Sequence, residues 1–251
     1  MNDNSYFTAL LDTCLFEISP AQEVVLESLD GSMPSLRGPR NSLARLVTRR
    51  LPKNIPDNER WKLAQSEAMH GVAESAREGK VHLFTYDEIE LETLSGTLFP
   101  SGVVAHCLAG VKIDYVRAAI ERSRFQQMPL DTFAEKSTRV DFCRWLLSLD
   151  YRELAKRPKF MSIFSDFERR NLESLGRFRE ICANLDETHY SDALHLWTAE
   201  VNSLDFFLTS DKKFINVMTK TSQIALTTRP ICPCDFLRVL KDKRERESIK
   251  V

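Results

Sequence analysis

The chain has 251 residues, 43% of them apolar with 15 Phe, enough for a sizeable core in one large domain with insertions. Lys and Arg number 35 against 36 Asp and Glu, so the net charge of -1 implies no partner by itself, and any nucleic-acid surface must come from a local patch. No stretch is long and apolar enough to span a bilayer and the start lacks a secretory signal pattern, so a cytoplasmic protein without membrane contact is the expectation.

Tyr6 to Leu11 is a β-rich run that ends at Asp12 and Thr13. An acid directly after the first strand of a parallel sheet sits at the carboxyl edge, where ligands gather, although such an Asp also serves as an ordinary cap for a following helix. Residues 19 to 79 read as a helical insertion with loops. Asn41 or Ser42 can cap a helix in which Leu43, Leu46, Val47 and Leu51 share a face, with Pro52 and Pro56 as stops. Asp57 then caps a longer helix through Trp61, Ala64, Ala68 and Val72 to Gly79. Between Gly31 and Lys62 stand eight basic residues and two acids, a local excess of six positive charges. Arg45, Arg49, Arg50 and Lys53 from this cluster are candidates for phosphate contact, against the plainer alternatives of a solvated helix face or a surface that docks an acidic protein.

Lys80 to Tyr86 is the second strand, followed by a short acidic helix from Asp87 that Gly96 stops. Glu88 and Glu92 lie one turn apart on it. The stretch from Gly110 to Leu185 reads as wholly helical, with stripes at Ile113, Val116 and Ile120, at Phe142, Trp145 and Leu146, and at Phe167, Leu172, Leu175 and Phe178, broken at Pro129, Pro158 and Gly176. A helix from Ser191 with Leu194, Leu196 and Ala199 on its apolar stripe leads by a short turn to the buried strand Phe206-Phe207-Leu208. Asp211 follows that strand and falls at the carboxyl edge; Asp205 precedes it and falls at the opposite edge, in a structural role. Ile224 to Thr228 is the expected last strand, Cys232-Pro233-Cys234 has the look of strand residues, and the charged end from Lys241 is expected to fray.

The six cysteines form no zinc-type pairing and are expected to be reduced and mostly buried. The five histidines are scattered, and His195 reads as helix packing.

Taken in order, Asp12-Thr13 after the first strand, Glu92 four residues before Gly96, Asp192-Ala193-Leu194-His195-Leu196, the stretch Leu208 to Phe214, and the Pro-rich turn ending in Phe236-Leu237 resemble PIN-domain nucleases. The stretch from Asp192 to Phe214 is the specific part, and the resemblance covers the strand-and-site skeleton, about half of the chain. Cys14 stands where many members have Asn. The resemblance implies a single PIN-like α/β domain over 1–251: a three-layer fold with a mostly parallel sheet of about four to five strands flanked by helices, enlarged at 19–79 and 110–185.

The same resemblance implies that Asp12, Glu92, Asp192 and Asp211 hold one or two divalent ions and that Thr209 orients a ligand or water, with Glu88 as the alternative to Glu92. Hard carboxylate oxygens without Cys or His favour Mg²⁺ or Mn²⁺. The activity so implied is metal-dependent endoribonuclease cleavage of phosphodiester bonds. A toxin or defence role is then expected, with RNA as substrate, an antitoxin-like protein inhibitor and self-association among the partners. The reading from another class is a catalytically silent PIN-like module that binds RNA or protein.

Overall fold

The computed structural model describes residues 6–15, 22–28, 44–50, 57–96, 107–126, 132–133, 135–221 and 224–248. Its centre is a parallel sheet of five strands: β1 (Phe7–Leu11), β4 (Val81–Thr85), β5 (Ile113–Tyr115), β6 (Phe206–Leu208) and β7 (Arg229–Ile231), in spatial order β5-β4-β1-β6-β7. A separate antiparallel pair, β2 (Gln22–Ser28) and β3 (Ala44–Arg50), lies between β1 and β4 in sequence. The helices are α1 (Asp57–Arg77), α2 (Asp87–Gly96), α3 (Lys136–Ser148), α4 (Tyr151–Ala155), α5 (Pro158–Met161), α6 (Asp166–Glu173), α7 (Leu175–Cys182), α8 (Tyr190–Val201), α9 (Lys212–Asn216) and α10 (Pro233–Ser248).

Period-two alternation along the strands builds two cores and hence three layers. Ala9, Leu11, Val81, Leu83, Phe206, Leu208 and Ile231 point to one side, where Met69, Val72 and Ala73 of α1 and Phe236 of α10 cover them. Leu10 and Phe207 point to the other side, into a core with Trp197 and Leu196 of α8, Phe142 and Leu146 of α3, and Phe178 of α7. Phe178 and Trp197 stack with ring centroids 5.2 Å apart. Truncating either ring to Ala would cost about 3–5 kcal/mol. The register sets Leu11 beside Leu208, so β1 and β6 end level with one another.

The sheet order has one reversal. From β1 the chain moves outward through β4 to β5, then returns to the other side of β1 for β6 and β7. The crevice outside the carboxyl ends of β1 and β6 is therefore the topological switch point, where open α/β sheets bind ligands.

Several expectations from the sequence are corrected. Where a helix through Leu46 and Val47 is expected, the described residues Ala44–Arg50 form strand β3, paired over its whole length with β2, while Leu43 and Leu51 lie outside the described residues. Its register puts Val47 opposite Val25 and Thr48 opposite Val24, so a ladder made with a distant segment replaces the helix that local spacing suggests. In the insertion 19–79, the described helix begins only at Asp57; it ends at Arg77, with Gly79 at φ +72° turning the chain into β4. The stretch 110–185 is not wholly helical, because Ile113–Tyr115 completes the sheet edge beside Leu83–Thr85, and the amide of Val116 bonds to the carbonyl of Thr85. Those edge carbonyls demand donors that a helix keeps for itself. Within that stretch Gly176 breaks nothing: it lies inside α7, and the interruption falls at Ser174. Pro129 lies outside the described residues.

The last strand is Arg229–Ile231, not Ile224–Thr228, because Arg229, Pro230 and Ile231 pair with Phe206, Phe207 and Leu208. Pro230 is tolerated there because β7 is an edge strand. Cys232 follows this strand, and Pro233 and Cys234 open α10. The charged end does not fray at Lys241; α10 runs on to Ser248. All six cysteines are free, and four of them are buried.

Candidate metal centre

At the switch point β1 delivers Asp12, whose amide bonds to the carbonyl of Leu208 at 3.0 Å and so continues the β1–β6 ladder by one rung. The Asp12 carboxylate is 2% exposed. Oδ1 accepts from the Thr13 hydroxyl at 3.2 Å, and Oδ2 accepts from Thr209 Oγ1 at 2.5 Å and from the Cys14 thiol at 2.9 Å. Cys14 thus serves Asp12 as a donor through sulfur.

Strand β6 delivers Thr209 and Asp211. Thr209 lies fully buried, and its Oγ1 accepts from the Asp211 amide at 3.0 Å while donating to Asp12. Asp211 caps α9, with Oδ1 accepting from the Phe214 amide at 2.9 Å, which leaves Oδ2 facing the crevice. Helix α8 runs back toward the sheet, so its first turn lies at this edge and brings Asp192. His189, just before α8, sets Nδ1 3.0 Å from Asp192 Oδ2 and 3.4 Å from Asp211 Oδ2. One ligand atom from each of His189, Asp192 and Asp211 lies within 4.8 Å of the other two.

Helix α2 brings Glu92. Its Oε2 accepts from the Thr13 hydroxyl at 2.6 Å, which links it to Asp12 through one residue. Its Oε1 stands 2.8 Å from Arg139 Nε and 3.1 Å from His195 Nε2, and His195 Nδ1 meets the Tyr86 hydroxyl at 2.6 Å. Glu88, the alternative acid, points elsewhere: it forms a buried fork with Arg122, with Nη2 to Oε2 at 2.9 Å and Nε to Oε1 at 3.0 Å. Of the two acids of α2, Glu92 is the one that reaches the neighbours of Asp12. Asp205 lies at the far edge, where Oδ2 accepts from the amide and hydroxyl of Thr8, both at 2.8 Å, in the structural role its position suggested.

The electrostatics follow from burial and from these neighbours. Burial pushes the Asp12 carboxyl up to about 6; the nearby charge of Asp192 adds to this, while His195 and the donors Cys14 and Thr209 pull the other way. Burial also pushes Glu92 upward, but His195, Arg139 and the Thr13 hydroxyl outweigh it and hold Glu92 at about 2. His195 is desolvated, which favours its neutral form, yet Glu92, Asp12 and Asp192 together raise it to about 9. The hydrogen bond to Asp192 raises His189 as well. Burial and the Asp12 charge push the Cys14 thiol well up, so it stays protonated and serves as a donor.

Three site residues, His189, Arg139 and Tyr86, were not singled out from the sequence, and a fourth, His195, was read for packing alone. His189 stands three residues before Asp192, a helical i,i+3 spacing that carried the signal. Arg139 precedes Phe142 and Leu146 on the buried stripe of α3, and a cation on such a stripe announces a buried acid. Tyr86 left no local signal. His195 is buried in helix packing as read, but it is also a direct partner of Glu92.

Of the proposed phosphate-binding residues, Arg45, Arg49 and Arg50 lie on β3 rather than on a helix, and Lys53 lies outside the described residues. The register sets Arg45 opposite Glu27 and Arg49 opposite Glu23, acids that a count begun at residue 31 leaves out. Comparison with family models, curated proteins and solved structures returned no match.

The donor chemistry fits a divalent cation. Asp12, Asp192 and Asp211 converge on one crevice with His189 and His195 beside them, and carboxylates packed so closely are stabilised by a hard cation.

Proposed function

We propose that the chain is a metal-dependent nuclease that hydrolyses phosphodiester bonds, with RNA as the preferred substrate. The observation that carries this reading is the convergence of Asp12, Asp192 and Asp211, from three separate elements, on the crevice at the switch point of the sheet. Glu92 completes the acidic group from α2.

A divalent ion bound there would activate a water and offset the charge that develops on the leaving oxygen. The chain's own residues prepare the place. Thr209 fixes one oxygen of Asp12 and the backbone of Asp211 with a single hydroxyl, so the two acids keep their spacing. Thr13 joins Asp12 to Glu92, and Arg139 and His195 hold Glu92 in turn. The capping bond of Asp211 orients its free oxygen. No other general base is required.

An antitoxin-like protein inhibitor, self-association and a cytoplasmic location belong to the same reading. Among the described residues no helix is long and apolar enough to cross a membrane. The test compares wild type with Asp12→Asn on a single-stranded RNA. Binding without cleavage by the variant, where wild type binds and cuts, supports the enzyme; binding without cleavage by both proteins, with either metal, supports a silent binding module.

A further inference from the structure

Glu92 and His189 stand in places that reverse the roles their residue types suggest. Both oxygens of Glu92 are already taken: Oε1 by Arg139 Nε at 2.8 Å and His195 Nε2 at 3.1 Å, Oε2 by the Thr13 hydroxyl at 2.6 Å. A carboxylate only accepts, so His195 donates through Nε2 and its orientation is fixed from behind by Tyr86 at 2.6 Å. The side chains of Arg139 and His195 are 8% and 1% exposed. An ion that captured Glu92 would leave a buried guanidinium short of its counter-charge and a buried imidazole short of its acceptor, a cost comparable to breaking a buried ion pair. The fixed charge of Arg139 already occupies the electrostatic place beside Glu92 that a second ion would fill.

His189 has the opposite setting. Its Nδ1 faces a carboxylate oxygen of Asp192 on one side and one of Asp211 on the other, at 3.0 and 3.4 Å. Three ligand atoms, one from each of His189, Asp192 and Asp211, lie within 4.8 Å of one another and mark a position that a cation with bonds of ~2.1 Å reaches with small side-chain shifts.

We infer that the centre takes one ion, held by His189, Asp192 and Asp211 beside Asp12, and that Glu92 is the counter-ion of Arg139 and His195 rather than a ligand. An imidazole among the donors turns preference from Mg²⁺ toward a first-row transition ion such as Mn²⁺. This inference rests on the metal-dependent reading given above. It differs from that reading in setting Glu92 aside and in adding His189.

The experiment is a Mn²⁺ titration of the full chain, followed by electron paramagnetic resonance on unlabelled protein and on protein carrying ¹⁵N-histidine. The expected result is one Mn²⁺ per chain with a ¹⁴N coupling that becomes a ¹⁵N coupling on labelling. His189→Gln loses that coupling and binds about tenfold more weakly or worse, as loss of a direct ligand should exceed the usual effect of its supporting partners. Glu92→Gln keeps both the single site and the coupling. Two ions per chain, no histidine coupling, or a coupling that survives in His189→Gln overturns the inference while leaving a metal site in place. No bound Mn²⁺ at all overturns the metal-dependent reading with it. The labelled wild-type spectrum decides without either variant, so a folding defect in one of them does not block the test.

Discussion

The hydroxyl of Thr209 donates to Asp12 Oδ2 at 2.5 Å, tying the end of β6 to the end of β1 across the switch point. The same oxygen accepts the Asp211 amide at 3.0 Å, so one side chain spaces two of the acids. Thr209→Val keeps the shape and removes both bonds. It should cost about 1–3 kcal/mol of stability, since it leaves a buried carboxylate short of a donor, and lower cleavage about 10–100-fold, the scale of a lost supporting partner at a metal ligand. Thr209→Ser should restore most of both losses. Chemical denaturation and cleavage rates measured on the two variants check this.

The fork between Glu88 and Arg122 has no part in the centre, and its loss should separate stability from activity. The Arg122 side chain is 0% exposed and that of Glu88 5%. The guanidinium also donates to Gln126, Thr138 and the Phe133 carbonyl and lies 3.7 Å from the Phe133 ring centroid. Glu88→Gln strands this cation and should destabilise the fold by about 3–5 kcal/mol. Mn²⁺ affinity of the protein that remains folded should change less than about threefold, well short of the 10–100-fold loss typical of a supporting partner.

Asp12 sets a pH signature. Its folded value of about 6 lies above the ordinary 3.8, so the folded state holds this proton more tightly than the unfolded chain does. The group therefore favours folding below about pH 4, loses that contribution as pH rises toward 6, and burdens the metal-free fold at pH 7. Asp12→Asn should raise stability at pH 7 by about 1–3 kcal/mol and by clearly less at pH 4. Glu92 has the opposite sign: its value of about 2 contributes stability above pH 4.5 that disappears as pH falls toward 2. Thermal melts of wild type and Asp12→Asn across pH 4 to 8 separate the two acids.

Two glycines test the backbone account. Gly79 has φ +72° where α1 turns into β4, so Gly79→Ala should cost about 1–2 kcal/mol. Gly176 lies in α7 with open space around its Cβ position, so Gly176→Ala should gain up to about 1 kcal/mol. Opposite signs in the two midpoints of denaturation are the expected outcome.

What the sequence carried depended on where each signal was local. The unit from Asp192 to Phe214 could be read because the apolar run at Phe206, its turn and its two flanking acids are contiguous, and sheet polarity then separates Asp211 from Asp205. Glu92 and Glu88 could not be told apart, since both occupy one helix a turn apart and the choice depends on Arg122 and Arg139, 34 and 47 positions onward. Strand β3 was misread because Leu43, Leu46, Val47 and Leu51 satisfy a helical spacing, and only the pairing of Ala44–Arg50 with β2 reveals the strand. β5 was missed for a related reason: three residues are too few to show a period, and their ladder is made with distant Leu83 to Thr85. The His189 contact to Asp211 spans 22 positions, beyond any local pattern, although its spacing to Asp192 was in plain view.

The most direct measurement is cleavage of a mixed pool of RNA and single-stranded DNA by wild type and Asp211→Asn, with Mn²⁺, with Mg²⁺ and with EDTA. Metal-dependent cutting, preferentially of RNA, that Asp211→Asn lowers by at least about 100-fold is the result expected of a carboxylate-held ion. Cutting that persists in EDTA, or at an unchanged rate in Asp211→Asn, would contradict a nuclease centred on these acids.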